Sequence, residues 1–303
     1  MNPIGKGLLA VTDRSAVRRL FTETAAGQRL SHRFVAGETL DEGAGVAREL
    51  NAAGFRVSLD HLGEHVDSYA ACFDARDAYL ACLDRIGAEG LDANISVKLT
   101  HLGLAVDKEL VVESLARLAD RAAEVDTTVT VDMEEAAYTE ATITAYEAVQ
   151  TGAGNLGIAV QAYLYRTNRD LDRIIPLGGH VRLCKGAYAE PEEVAHPSRA
   201  SVGTAFDRIA ERLMAEGGLL PAIASHDRAR VEHAARLGEH RDAPWEFQML
   251  YGVRRELQAE LLEAGHPVRV YLPYGLAWYP YLTRRMAERP SNLAFFLRAA
   301  AGK

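Results

Sequence analysis

Residues 95–133 read ISVKLTHLGLAVDKELVVESLARLADRAAEVDTTVTVDM. A short β-branched run (95–99) leads through a loop into a leucine- and alanine-rich stretch (110–125) and then into a second β-branched run (129–133). The middle stretch places apolar residues at three- and four-residue steps, which is helix spacing, whereas the flanking runs have strand length and strand composition. Strand, helix, strand is the unit of a parallel sheet, because parallel neighbours need a long crossover. The unit recurs along the chain. Apolar runs lie at 55–59, 95–99, 129–133, 158–163, 181–184, 221–225, 247–250 and 268–272, with helical stretches such as 110–125, 140–150, 201–216 and 228–237 between them. The run 247–250 is short enough to be loop as well. Eight strands alternating with helices predict a (β/α)8 TIM barrel, an α/β fold.

Before the barrel, residues 11–26 predict an amphipathic helix with Val11, Ala16, Leu20 and Phe21 on one side, followed by an apolar piece at 33–36 and a helix over 39–53. No linker, repeat or low-complexity tract interrupts the chain, so one domain is expected over 1–303: a helical arm (1–53), then the barrel and a capping helix (55–303). The C-terminal end reads VYLPYGLAWYPYLTRRMAERP (270–290). It predicts a strand, a turn at Pro273, Tyr274 and Gly275, and a helix that stops at Pro290, since the proline ring clashes with a preceding turn. On that helix Tyr281, Arg284, Arg285 and Glu288 share a face. Adjacent arginines suit forking around a carboxylate or phosphate, and a solvated basic face is the alternative.

The chain has 303 residues, 48% hydrophobic and 25% charged, with a net charge of −8. That balance is of an ordinary globular protein and argues against nucleic-acid or anionic-membrane binding by bulk attraction. Cys72, Cys82 and Cys184 have neither zinc nor disulfide spacing and read as reduced cytosolic thiols. Charges at Asp13, Arg14, Arg18 and Arg19 interrupt any signal-peptide core, and no apolar run is long enough to span a membrane. A cytoplasmic protein is expected.

In a barrel of this kind chemistry gathers at the C-terminal ends of the strands. Here those ends carry Asp60 and His61; Lys98; Asp132, Glu134 and Glu135; Gln161, Tyr163 and Tyr165; Arg182, Lys185, Gly186 and Tyr188; Ser225, His226 and Asp227; Gln248, Met249 and Leu250; and Tyr271. Lys98, Arg182 and Lys185 are embedded in apolar runs, where an unpaired charge is costly, so an enzyme-like face is expected. Gly152-Ala-Gly154-Asn-Leu-Gly157 matches a dinucleotide fingerprint but leaves a helix and enters a strand, the reverse of what the motif needs, so it reads as a helix stop. His61 and His65 have zinc spacing, yet Gly63 between them argues against a regular helix. The pairs Arg18-Arg19 and Arg254-Arg255 read as solvated faces. The two cations of the 182–185 segment suggest an anionic group near the fifth strand, which a flavin would supply, and the 284/285 arginines a second, smaller anion. A metal-dependent lyase or hydrolase using Asp60, His61, Asp132, Glu134 and His226 is the rival reading, and a non-catalytic ligand-binding barrel the third.

The segments FVAGETL, SLDHLGE, ISVKLTHLG, VDMEE, VQAYLYRT, VRLCKGAY, SHD, EFQMLYG and VYLPYG…WYPYLTRRMAERPSN, in that order, resemble the proline dehydrogenase family, in its short bacterial monofunctional form, over about 33–298. The resemblance implies a distorted barrel whose last helix lies across the C-terminal mouth, FAD in that mouth, and oxidation of L-proline to Δ1-pyrroline-5-carboxylate. Hydride would pass to flavin N5 and electrons onward to a membrane quinone. It implies that Arg284 and Arg285 grip the substrate carboxylate and that Lys98 lies ion-paired near it. Tyr271, Tyr281, Leu250 and Tyr188 would pack around the ring, while Asp132 and Glu288 hold the lysine and arginines. Arg182 would reach N5, with Gln161, Lys185, Ser225, His226, Leu183, Cys184 and Gly186 as further FAD contacts and no metal. The chemistry agrees: hydride leaves the carbon beside nitrogen only when the amine is neutral, so catalysis is mainly positioning and stabilisation of the reduced ring. Departures from the family pattern are Leu276 and Ala277 after PYG, Cys184, Thr204 and Phe206. Tyr271 predicts proline over hydroxyproline. A peripheral contact with the inner face of the cytoplasmic membrane is expected, with residues 293–298 as a candidate interfacial helix.

Overall fold

The computed structural model describes residues 32–288. Eight strands form a closed parallel barrel in chain order: β1 (Arg56–His61), β2 (Ala93–Val97), β3 (Val129–Val131), β4 (Leu156–Gln161), β5 (Gly179–Cys184), β6 (Leu219–Ala224), β7 (Glu246–Leu250) and β8 (Val268–Tyr274), with β8 closing on β1. The short seventh run is a true strand, paired on both sides. The eighth extends two residues beyond expectation, through Pro273 to Tyr274, because β1 continues beside it as far as His61.

The described helices are α1 (Leu40–Ala52), α2 (Tyr69–Glu89), α3 (Lys108–Glu124), α4 (Thr139–Ala153), α5 (Thr167–Ile174), α6 (Arg199–Ala215), α7 (Arg228–Gly238), α8 (Arg255–Glu263) and α9 (Trp278–Glu288). Thr39 opens α1 with a capping box completed by Glu42. Within the stretch expected as a helical arm, α1 packs its small residues Gly43, Ala44 and Ala47 on the barrel beside β1 and β8. Gly154 ends α4 at φ +72°, so the GxGxxG match is a helix stop. Gly157 lies where a Cβ would fall 2.0 Å from the His180 ring. The expected helix over 11–26, the Arg18-Arg19 pair and the stretch 293–298 lie outside the described residues.

Strand alternation divides the side chains into two environments. One set (Val57, Leu59, Ile95, Val97, Val129, Val131, Val181, Leu183, Phe247, Met249, Val268 and Leu272) packs with helix residues in one apolar layer. The other set faces the lumen. In most barrels the lumen is filled by branched apolar side chains. Here it holds Ser58, Asp60, Asn94, Ser96, Thr130, His180, Arg182, Glu246, Gln248 and Arg269, nearly all buried. Arg182 on β5 bonds to residues of β1, β2 and β7, which is only feasible across the interior.

Candidate active site

At the C-terminal end of the lumen two cations meet two carboxylates. Lys98, one residue past β2, sits with Nζ 2.9 Å from Asp60 Oδ1 and 3.6 Å from Asp132 Oδ2, and donates to the Tyr271 hydroxyl at 3.4 Å. Tyr271 in turn donates to Asp132 Oδ2 at 2.7 Å. Arg182 donates through Nη1 to Asp132 Oδ1, through Nη2 to Ser96 at 2.9 Å and Ser58 at 3.3 Å, and through Nε to Gln248, with its Cζ 5.2 Å from the Tyr271 ring centroid. Lys98 and Arg182 offset Asp60 and Asp132, so the cluster is balanced in charge, which is what allows it to be buried. Burial disfavours the lysine's charge, but Asp60, Tyr271 and Asp132 outweigh it and hold the ammonium well above its usual pKa. Burial and the same carboxylates push the Tyr271 hydroxyl upward. Near neutral pH the site therefore presents a fixed ammonium beside a neutral phenol. Asp60 Oδ2 is buried without a hydrogen-bond partner among the described residues, an acceptor still on offer.

The rim between β4 and β7 is different in kind. Lys185 pairs with Asp227 at 2.5 Å, both side chains more than a third exposed. Asp227 also caps α7 through Ala229 N, and Ser225 Oγ accepts from Asp227 N, which explains the SHD run locally. His226 Nε2 accepts from Leu250 N at 3.0 Å and ties β6 to β7. Gln161 Nε2 donates to the Glu134 carbonyl at 2.8 Å. Gly186 adopts φ +114°, and a Cβ there would fall 2.2 Å from the Tyr163 ring. Leu183, expected among the cofactor contacts, sends its side chain into the apolar layer under the helices, so only its backbone is available to the mouth. Cys184, Tyr188 and Leu250 are half-buried. Tyr281 is buried with Phe34, Val35, Leu62 and Trp278, which sets the start of α9 on the rim beside β1 and β8. Arg284, Arg285 and Glu288 belong to α9, but their side chains lie outside what is described.

The two cations of the 182–185 segment, expected to face an anion, have protein partners of their own, and Lys98 is ion-paired as the resemblance implied. The pairing carboxylates come from other strand ends, so no local pattern reveals it. The residues of the metal reading do not gather. Asp60 and Asp132 serve Lys98 and Arg182, both Glu134 oxygens accept from Thr100, His226 accepts from Leu250, and His61 packs against the His101 and Tyr274 rings. Among the described residues the one group with ligand spacing is His65, Glu134 and Glu135, within 4.8 Å, where His65 Nε2 lies 3.3 Å from Glu135 Oε1. Ser58, Ser96 and Glu246 were not singled out above, and Asp60 and Gln248 were named only as strand-end residues, Asp60 also as a metal ligand. Their signal is polar residues at i, i+2 inside otherwise apolar strands, which marks the inward face.

Residues 44–298 match the family model described as proline dehydrogenase. The chain belongs to the proline dehydrogenase family. Proline dehydrogenase 2 of Bacillus subtilis is 35% identical over 274 residues, covering 89% of this chain and 90% of that one. The proline dehydrogenase of Deinococcus radiodurans is 34% identical over 302 residues, covering 97% and 96%. Among solved structures, proline utilization A from Bdellovibrio bacteriovorus superposes with a TM-score of 0.81 over 94% of this chain, at 22% identity, a likeness of fold. A Bradyrhizobium japonicum proline utilization A variant gives 0.76 over 97% at 27% identity. The chain spans 36% and 34% of the length of those two proteins. As a member of the family it is an oxidoreductase built on an eight-stranded barrel. No helix among the described residues is long and apolar enough to cross a membrane.

Proposed function

We propose that the chain oxidises L-proline to Δ1-pyrroline-5-carboxylate in proline catabolism, with FAD accepting the hydride at N5 and a quinone accepting the electrons. The observation that carries this reading is the charge-balanced cluster of Lys98, Asp60, Asp132, Arg182 and Tyr271 at the C-terminal end of the lumen in a chain of this family. The donor set of the neighbouring rim fits a flavin dinucleotide. Arg182, Lys185, Gln161, Ser225, His226 and the backbone at Leu183, Cys184 and Gly186 lie on or just past consecutive strands, and they are donor-rich, as an acceptor-rich ring and a pyrophosphate require. FAD, when bound, supplies the two-electron acceptor that no side chain here provides.

The protein's own part is binding and placement. The Lys98 ammonium, held protonated by its carboxylates, and Arg284 with Arg285 on α9 take the substrate carboxylate. Tyr271, Tyr281, Tyr188 and Leu250 wall the ring, with Tyr271 favouring proline over hydroxyproline, and Glu288 steadies the arginines. Asp132 and Asp60 fix Lys98 and Arg182, so that little reorganisation remains at the moment of hydride loss. α9 on the rim excludes water when the arginines close, and a peripheral contact with the membrane's inner face brings the chain to its quinone. Proline-dependent reduction of a soluble quinone by the purified, FAD-loaded chain tests the reading, and no turnover with L-proline would sink it. Arg284→Ala and Arg285→Ala are expected to raise KM for proline at least about tenfold while FAD stays bound. Unchanged proline kinetics in both would overturn the carboxylate assignment.

A further inference from the structure

Behind Arg182 the lumen stays polar, with Gln248 and Glu246 both buried. Arg182 Nε donates to Gln248 Oε1 at 2.5 Å, and Gln248 Nε2 donates to Glu246 Oε1 at 2.7 Å. Glu246 is held at the base of the barrel by Arg269 Nε on Oε1 at 2.7 Å and by Arg56 Nη1 on Oε2 at 3.3 Å. Gln248 is 3% exposed and Glu246 2%. Both lie on β7 two residues apart, hence on one face.

A glutamine amide is nearly symmetric in shape and opposite in polarity at its two ends. With the amide reversed, its NH2 would face the guanidinium and its oxygen the carboxylate, so two charge-assisted hydrogen bonds would become two repulsions. Glu246, an acceptor only while ionised, therefore decides which way Gln248 points. Gln248 in turn decides where the Nε edge of Arg182 rests. The other edge is fixed by Asp132, Ser96 and Ser58, and a planar group held at both edges has its plane set.

We propose that Gln248 and Glu246 are positioning residues: Glu246 orients the Gln248 amide, and the amide holds the plane and depth of the Arg182 guanidinium at the floor of the active site. The proposal rests on the proposed function only in taking Arg182 to face the flavin. The relay itself stands on the geometry of the protein alone.

A double-substitution cycle tests it in the FAD-loaded enzyme. Gln248→Leu is expected to lower kcat about tenfold, with KM for L-proline within about twofold, and to shift the flavin midpoint potential. In an Arg182→Met background the same substitution should change neither kcat nor potential, because the residue it acts through is gone. Additive losses in the double variant would overturn the relay. A second readout needs no flavin. Exchange of the Arg182 Nε–H with solvent, followed by NMR, should be slow in the wild type and faster by about tenfold in both Gln248→Leu and Glu246→Gln. Equal protection in wild type and variants would sink the proposal whether or not flavin binds. A wild type that binds no flavin yet shows that protection lost in the variants would sink the proposed function alone. Where Glu246→Gln fails to fold, Gln248→Leu, which leaves Glu246 with both arginines, carries the test.

Discussion

The two halves of the barrel mouth solve opposite problems. The ends of β1, β2, β3 and β8 hold Asp60, Lys98 and Asp132, buried and balanced in charge once Arg182 is counted, with the half-buried Tyr271 bonded to them. The rim past β5 and β6 holds Lys185 and Asp227, paired in the open, with His226 and Ser225 spent on backbone contacts. Charges in the first half can be kept only if each has a partner, because removing one leaves the other desolvated. Those in the second half are in water whether or not they pair, so their pairing contributes little and can be exchanged for a ligand's phosphates. Under the proposed function the first half serves a small substrate and the second a large anion.

The contrast can be broken most sharply at Asp132. Asp132→Leu strips the acceptor from Arg182, Lys98 and Tyr271 together, and is expected to destabilise the fold by about 3–5 kcal/mol in urea unfolding and to abolish turnover. A loss below about 1 kcal/mol would mean the cluster is solvated after all.

Acid should act on the buried histidines and on the open rim in different pH windows. His180 in the lumen and His101 beside β1 are each held down to about 3, chiefly by burial. Their folded values lie below the unfolded one, so the unfolded chain takes up the protons first as pH falls. Stability is full above about 6.5 and is lost between there and 3, by up to about 1.4 kcal/mol per pH unit for each histidine. Asp227, held low by its bond from Lys185, is a depressed carboxylate, and its contribution disappears only below about pH 4. Urea unfolding at a series of pH values should show the early loss in the wild type and a shallower slope in His180→Gln. An unchanged slope would contradict the assignment to the lumen.

Lys185→Ala should have the smallest effect on folding, under about 1 kcal/mol, since its pair is more than a third exposed. It is expected to weaken FAD binding about tenfold with KM for proline unchanged. A large loss of stability with FAD affinity intact would invert the comparison.

The strand–helix rhythm made the barrel legible from sequence, and the strand-end rule named Lys98, Asp132, Arg182 and Tyr271, which the fold brings together. Their partners were harder to read. Asp60 lies 38 residues from Lys98, and Gln248 lies 66 residues from Arg182, so the pairings exist only once the barrel closes. The length of β8 was hidden because Pro273 reads as a turn, and only pairing with β1 carries the strand past it. The place of α1 was hidden too, since its buried face is made of Gly43, Ala44 and Ala47, small residues that give little apolar contrast.

The most direct measurement is the visible spectrum of the purified protein before and after L-proline is added without oxygen. Bound flavin absorbance that bleaches on addition is the predicted result. A protein that takes up no flavin, or whose flavin stays oxidised with proline in excess, would contradict the account.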